Sequence, residues 1–530
     1  MNRLGSMLDA FSKRVMARNG RVLLFFLIGG ILLKLVYLLA SRAWMNDEFL
    51  YLEGGRRILE GHVLYRDFAD IKPPLVFFLY AGIASLFGYA KALWGIKLVN
   101  ILVQTLAGYA FFRFTEKFAG RSRAFLAGSL FIVALASDAA SWPLNVMTLS
   151  LPPFGAYLYF MACDGFQWKA RHLAAAGLSL GIAVLFTTNF AVFLAALPLL
   201  LLTSGRRPRP GEFLGKNIVF GLAFLVPAGA CAAYFALRGA LADWYFWNVH
   251  WAGYYAAERS LLAKIPGAFL TLFRSWQWAP LYVLGILGLI AFFRNRSRFE
   301  KPAFMFLTIF LGLTVLARLP LGRMNPRYNP YILPVFVVFL AFADFQRLGK
   351  RFVRACLLFG VAAYIANGAW AAVFPFDRGL TERREVAAWL AENTPRDEKI
   401  FVWYEGYEFY FAADRDMATV FFSCGQHLDY PPIYRKMKAR DIDFLWDKFF
   451  DQLRRDRPLH ILDMSGNFSR FNEAARPEKL ARRMADFRAY VAEHYELARD
   501  FSPLRFRYSN SYADTFDSIK AYRRKDAPSD

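Results

Sequence analysis

The chain has 530 residues, of which 57% are apolar and 18% aromatic, with 55 Phe and only 20% charged residues. Soluble proteins average about 45–50% apolar residues, so this composition excludes an ordinary soluble globule, and it excludes a disordered chain, which needs low hydrophobicity. The net charge of +23, from 65 Lys and Arg against 42 Asp and Glu, fits cytoplasmic loops of a membrane protein rather than nucleic-acid binding, for which no module is recognisable.

The first apolar run is Val22–Ala40, preceded by Lys13, Arg14, Arg18 and Arg21. It is longer than the apolar core of a signal peptide and is expected to remain as a span, with the positive charges holding the N-terminus in the cytoplasm. A polar stretch, Ser41–Lys72, leads to Pro73–Gly88, which is apolar but short. The later apolar runs are Ala92–Phe112, Ala124–Leu135, Val146–Met161, Leu173–Thr187, Phe190–Leu202, Ile218–Leu237, Trp276–Phe293, Ala303–Ala317, Tyr331–Phe345 and Ala355–Phe374.

Loop charge decides whether Pro73–Gly88 crosses. If it stays at the outer surface, the clusters Arg113–Arg123, Lys169–Arg171, Arg206–Lys216, Arg294–Lys301 and Arg347–Arg354 all face the cytoplasm. If it crosses, all of them face outward. The orientation rule therefore favours an interfacial or re-entrant segment and about eleven spans.

Residues 376–530 change to mixed, charged sequence and read as an α/β domain. Lys399–Trp403 and Pro458–Asp463 resemble buried strands, and Ile442–Arg455 and Glu478–Glu493 have helical periodicity. Leu504–Tyr508 and Ser518–Arg523 are expected to pair as a terminal hairpin. The expected architecture is thus a polytopic α-helical membrane module, residues 1–375, whose first outer loop spans 41–92, followed by an extracytoplasmic α/β domain.

Cys163, Cys231, Cys356 and Cys424 form no CxxC, the six His form no HExxH, and no phosphate loop is present. No metal-ligand cluster is evident, so no metal and no cofactor are expected. Asp463 and the Cys424–His427 pair read as structural or surface residues.

The most informative stretch follows the first span. It runs Trp44-Met45-Asn46-Asp47-Glu48-Phe49-Leu50-Tyr51, then Gly61, Tyr65 and Asp67, and then Asp70-Ile71-Lys72-Pro73-Pro74-Leu75. A solvated loop with scattered charges is the plain reading. Against it, ionisable groups abutting apolar spans are functional candidates by default, and Pro73-Pro74 restricts the backbone beside Lys72.

This loop resembles the first outer loop of GT-C glycosyltransferases, in the branch with protein O-mannosyltransferases, the lipid A aminoarabinose transferase and lipopolysaccharide galacturonosyl transferases. Asn325-Pro326-Arg327-Tyr328 through Leu333-Pro334 is similar to the family's Arg-Tyr…Leu-Pro start of a late span, and Glu385–Trp403 with Tyr407–Phe411 to the start of its outer domain. One position departs: some members carry Glu directly before the lysine, where this chain has Ile71, so that acid's role is not transferred to Asp70.

The resemblance implies a glycosyltransferase of the bacterial inner membrane, with a cytoplasmic N-terminus and a periplasmic C-terminal domain. Its donor would be a polyprenyl-phosphate sugar and its acceptor a hydroxyl on lipid, polysaccharide or protein. Asp47 is then expected as general base, with Glu48 as helper; Lys72 as a phosphate ligand; and Arg327, with Arg323 as alternate, as the second cation. The bland reading of Arg323 and Arg327 is interfacial snorkelling. Tyr51, Tyr65, Asp67, Asp70, Tyr328 and His250 are expected as loop-bracing or substrate contacts. The aromatic run Trp244–Trp247, His250, Trp251, Tyr254 and Tyr255 reads either as an interfacial anchor or as a wall of the sugar or polyprenyl groove. A polyprenyl-linked glycan flippase is the alternative function.

Overall fold

The computed structural model describes residues 14–40, 46–137, 143–203, 205, 208–256, 265–266, 270, 272, 275–318, 326–345, 350–373, 380–404, 406–422, 424–465, 468, 473–501, 508–509, 515–516 and 518–527. It divides into two compact units. The first comprises Met1–Ser41, Ala90–Cys231 and Leu261–Pro375. The second gathers Arg42–Tyr89, Ala232–Ser260 and Phe376–Asp530.

In the first unit most apolar runs become single helices. They include Asn19–Ala40, Arg121–Ser137, Val146–Met161, Ala170–Phe186, Ala279–Arg294, Leu333–Leu340 and Lys350–Val373. Lys91–Ala119, Pro210–Leu237 and Lys301–Arg318 are the three helices long and apolar enough to cross a membrane, among the described residues. Phe190–Leu202, expected as one span, is split: residues Thr188–Ala195 form a 3₁₀ turn before the Ala196–Thr203 helix. The Val146–Met161 helix carries Pro152 and Pro153 in its interior, and its start is fixed by a capping box. There Asn145 Oδ1 accepts from the amides of Met147 and Thr148 at 2.9 and 3.0 Å. The core of this unit is aromatic, with the Phe154 and Phe190 rings stacked at 4.2 Å. At Gly288 a side chain would run into the Phe339 carbonyl, so only glycine lets those two helices meet.

In the second unit, Pro73–Gly88 yields the Leu75–Phe87 helix. At 1.5 Å per residue its 13 residues reach about 20 Å, short of the roughly 30 Å hydrocarbon core. It packs on the Asn46–Leu59 helix, where a Cβ at Gly55 would lie 2.7 Å from the Ala81 amide nitrogen.

The C-terminal region holds a four-stranded sheet in the order β1–β2–β6–β3, with β1 Ile400–Trp403, β2 His460–Asp463, β3 Tyr495–Asp500 and β6 Lys520–Arg524. β1 and β2 are parallel, with Ile400 opposite His460, and β6 runs antiparallel to both β2 and β3. All four β1 residues are buried, as a continuous apolar run requires. The helices Ala439–Asp456 and Glu478–His494 cover it with Trp446, Phe449, Met484 and Phe487, and Trp403 stacks on Phe487 at 4.5 Å.

The expected terminal hairpin is corrected. Lys520–Arg524 pairs with Tyr495–Asp500, while β4 (Tyr508–Ser509) pairs with β5 (Thr515–Phe516); residues 502–507 lie outside the described residues. The reason is burial: β6 is the strand that bridges β2 and β3 and carries the fully buried Ala521, so it is drawn into the sheet.

Candidate active site

The site is assembled within the second unit from residues 46–72, 246–251 and 417–427. The Asn46–Leu59 helix opens with Asp47 and Glu48 and closes with Arg56 and Arg57, the polarity its dipole favours. Asp47 is half-buried and Glu48 is 2% exposed. Further along, Glu53 is fully buried and accepts from Arg56 Nε and Nη2, both at 2.8 Å, and from Arg57 Nε at 3.0 Å. Arg57 Nη2 also donates to Asp416 at 3.3 Å. Buried charges persist only when paired in this way.

Beyond the helix the loop is fixed by its own backbone. The Val63 amide donates to Asp67 Oδ2 at 2.7 Å. Tyr65 holds a positive φ of 72°, an uncommon conformation for a bulky residue, and its hydroxyl donates to the Lys72 carbonyl at 2.8 Å. The same hydroxyl lies 3.3 Å from Asn248 Oδ1. The Ala69 amide donates to the Val420 carbonyl at 2.7 Å, which joins the loop to residues 417–422.

Asp70 and Lys72 come next. Asp70 Oδ1 accepts from the Lys72 amide at 3.0 Å and from Nζ at 3.1 Å. Asp70 is fully buried and its Oδ2 meets no hydrogen-bond partner among the described residues. Burial by itself would lower the Lys72 pKa; Asp70, Tyr51 and Asp47 outweigh it and hold the ammonium well above its ordinary range. Asp47, Tyr51, Asp70 and Lys72 therefore share one electrostatic neighbourhood. Tyr51 is fully buried, its ring edge-on to Phe77 and Tyr80 at 5.6 and 5.3 Å.

His427, expected as a structural or surface residue, is buried and within electrostatic reach of Asp70 and Lys72. It is fully buried between Trp247 at 4.7 Å and Trp251 at 5.8 Å, with Phe421 at 6.3 Å. Neither ring nitrogen has a hydrogen-bond partner among the described residues; such unmet buried groups cost about 1–3 kcal/mol each. Burial pushes its pKa down to about 4, with Asp70 raising and Lys72 lowering it, so the ring is neutral near pH 7. No local motif announces His427, because it joins Lys72 only through tertiary structure. Its former companion Cys424 is structural: the thiol accepts from the Tyr404 amide at 3.0 Å and donates to the Val402 carbonyl at 3.1 Å. Asp463 likewise closes a turn, accepting from Ser465 N and Phe468 N, each at 2.8 Å.

His250 Nε2 donates to Asp441 Oδ2 at 3.0 Å, beside the Tyr254 hydroxyl at 2.6 Å. Arg327 and Tyr328 lie in the first unit, on a 3₁₀ turn Pro326–Tyr331, and their side chains, with all of Arg323, fall outside the described residues. Arg318, in the same unit, belongs to no motif in the sequence. It ends the Lys301–Arg318 helix, is 2% exposed, and lies within electrostatic reach of Tyr331.

A polar cavity of about 430 Å³ opens on the same stretches, lined by Arg57, His62, Asp67, Asp416, Val420 and Lys448, among others. Near it, Glu60, His62 and Asp416 bring one ligand atom each within 4.8 Å of one another. Arg56 binds Glu60 at 2.8 Å and Arg57 binds Asp416 at 3.3 Å, so guanidinium ions already occupy both carboxylates and oppose a second cation there.

No protein-family model matches this chain, and no curated protein is similar to it. Solved structures do match. ArnT from Cupriavidus metallidurans aligns with a TM-score of 0.56 at 14% identity, over 94% of this chain and 97% of that one. The Archaeoglobus fulgidus oligosaccharyltransferase in the apo form aligns with a TM-score of 0.51 at 12% identity, over 94% of this chain and 75% of that one. The same enzyme tethered to an acceptor peptide with the NVT sequon gives 0.52 at 13% identity, over 84% and 68%. Both are GT-C membrane glycosyltransferases, and this chain has the GT-C fold.

Proposed function

We propose that this protein is a membrane glycosyltransferase that moves a sugar from a polyprenyl-phosphate donor to an acceptor hydroxyl at the outer face of a bacterial inner membrane. The observation that carries this reading is the Lys72 ammonium, fixed on Asp70 and lying in the field of Asp47, on a fold shared with glycosyltransferases.

In this reading the donor phosphate rests on Lys72. The acceptor hydroxyl oxygen attacks the anomeric carbon opposite the phosphate, and the bond from that carbon to the phosphate oxygen breaks. The bonding pair leaves on the phosphate, whose growing charge Lys72 stabilises. The acceptor proton passes to the Asp47 carboxylate. In-line geometry inverts the anomeric centre, and Glu48, next along the helix, orients the acceptor.

The test is mass spectrometry of envelope glycolipids, polysaccharides and glycoproteins from cells with and without the protein. A sugar mass missing from one acceptor, restored by the wild-type chain and not by Asp47→Asn, is the expected result. Identical glycan profiles would overturn the reading, and accumulation of an unexported lipid-linked glycan would favour the flippase instead.

A further inference from the structure

We propose that Trp247, Trp251 and His427 form the sugar-reading end of the donor site, with the His427 imidazole hydrogen-bonding a hydroxyl of the sugar whose phosphate rests on Lys72. The proposal builds on the donor reading above and names the part of the second unit that recognises the transferred group.

Four observations converge. First, His427 is fully buried with both ring nitrogens unpartnered among the described residues, a state that a polar occupant relieves. Second, Trp247 and Trp251 lie on a π-helical turn, Phe246–Trp251, a rare geometry frequent at functional sites. Third, that turn is tied to the phosphate-site loop: Asn248 meets the Tyr65 hydroxyl, which holds the Lys72 carbonyl. Fourth, Asp70 and Lys72 both act electrostatically on the ring.

The chemistry of these groups selects the ligand. A neutral imidazole offers one donor and one acceptor, which matches a hydroxyl, itself donor and acceptor. A phosphate offers only acceptors near neutral pH and suits Lys72. Two indole rings supply apolar faces for the C–H side of a sugar ring. The three side chains are closed on one another, with Trp247 and Trp251 each 1% exposed, so the sugar enters by displacing the π turn or the four-residue Cys424–His427 helix.

The experiment measures lipid affinity with full-length protein in nanodiscs. The probes are bare undecaprenyl phosphate and the same lipid carrying mannose, galacturonic acid or 4-amino-4-deoxyarabinose. Wild-type protein is expected to prefer at least one sugar-bearing lipid over the bare lipid by about tenfold, the scale of one buried hydrogen bond. His427→Phe, which keeps an aromatic ring and removes both nitrogens, should erase that preference and leave bare-lipid affinity unchanged; His427→Gln should restore part of it. Lys72→Ala should weaken every probe. If His427→Phe keeps the preference, or weakens bare and sugar-bearing lipids equally, the subsite is overturned and the donor reading stands. If wild-type protein binds none of the lipids, the donor reading fails and the subsite with it. Should His427→Phe not fold, Trp247→Phe decides: a reduced preference supports the subsite and an unchanged one overturns it.

Discussion

One oxygen of Asp70 receives both the amide and the ammonium of Lys72, at 3.0 and 3.1 Å. The carboxylate thus fixes the lysine's backbone and its charge together, in a segment where Pro73 and Pro74 remove two amide donors.

Asp70→Asn keeps the shape and removes the charge. Burial then acts on Lys72 with its strongest opposing partner gone, so its pKa must fall. The alkaline limb of the activity profile is expected to move to lower pH, because the ammonium is lost sooner. A pH–rate profile of kcat/KM for the variant checks this; an unmoved alkaline limb would mean that Lys72 is not the titrating phosphate ligand.

Asp47→Asn is expected to lower the transfer rate by about 10²–10⁴-fold, the range of general-base catalysis, with little effect on expression or on donor binding. Lys72→Ala should instead weaken both donor binding and turnover. Steady-state kinetics with varied donor separates the two; Asp47→Asn activity near wild type removes that carboxylate from the base role.

Glu53 is the shared anion of two buried guanidinium groups. Glu53→Gln leaves them without their closest countercharge, a change that costs about 3–5 kcal/mol in comparable buried pairs. The expected readout is a lower thermal midpoint, accompanied by loosening of the helix that carries Asp47. An unchanged midpoint would show that Asp416 and Glu60 suffice for both arginines.

Two buried histidines set an acid limit. Burial brings both His427 and His460 down to about 4, against roughly 6.5 in an unfolded chain. The unfolded chain therefore binds more protons across that interval. Their stabilisation is complete above about pH 6.5 and is lost as pH falls toward 4, up to about 3 kcal/mol per ring. Urea unfolding at pH 7 and pH 5 should show a marked drop for wild type and a smaller one for His460→Gln. Equal drops would remove His460 from the account.

Local information made much of this structure readable. Val146–Met161 was visible from its apolar run alone and is found with those bounds. The strands around Phe401 and Ile461, and the helix around Phe449, were legible because their burial is continuous or strictly periodic. The Asp47–Lys72 stretch stood out because its charges abut apolar segments. What was illegible is non-local. Nothing around His427 shows that it would face Trp247 and Trp251, since those rings meet it across about 180 residues of sequence. Strand partners were misassigned at the C-terminus for the same reason: alternation marks a strand without naming its neighbour. The contact between Asp70 and Lys72 is likewise not legible in the sequence, where Ile71 stands between them; it appears only once the loop is folded.

The amide of Ala69 bound to Val420 has a consequence for inheritance. A chimera that exchanges the C-terminal region alone would leave the lysine-bearing loop stitched to a foreign edge, whereas one that transplants residues 46–89 and 232–256 along with it carries the whole bonded block. Recombination between relatives should therefore be tolerated in the helical unit and punished at seams that cut this one, so that substrate preference travels as three separated stretches of gene moving together.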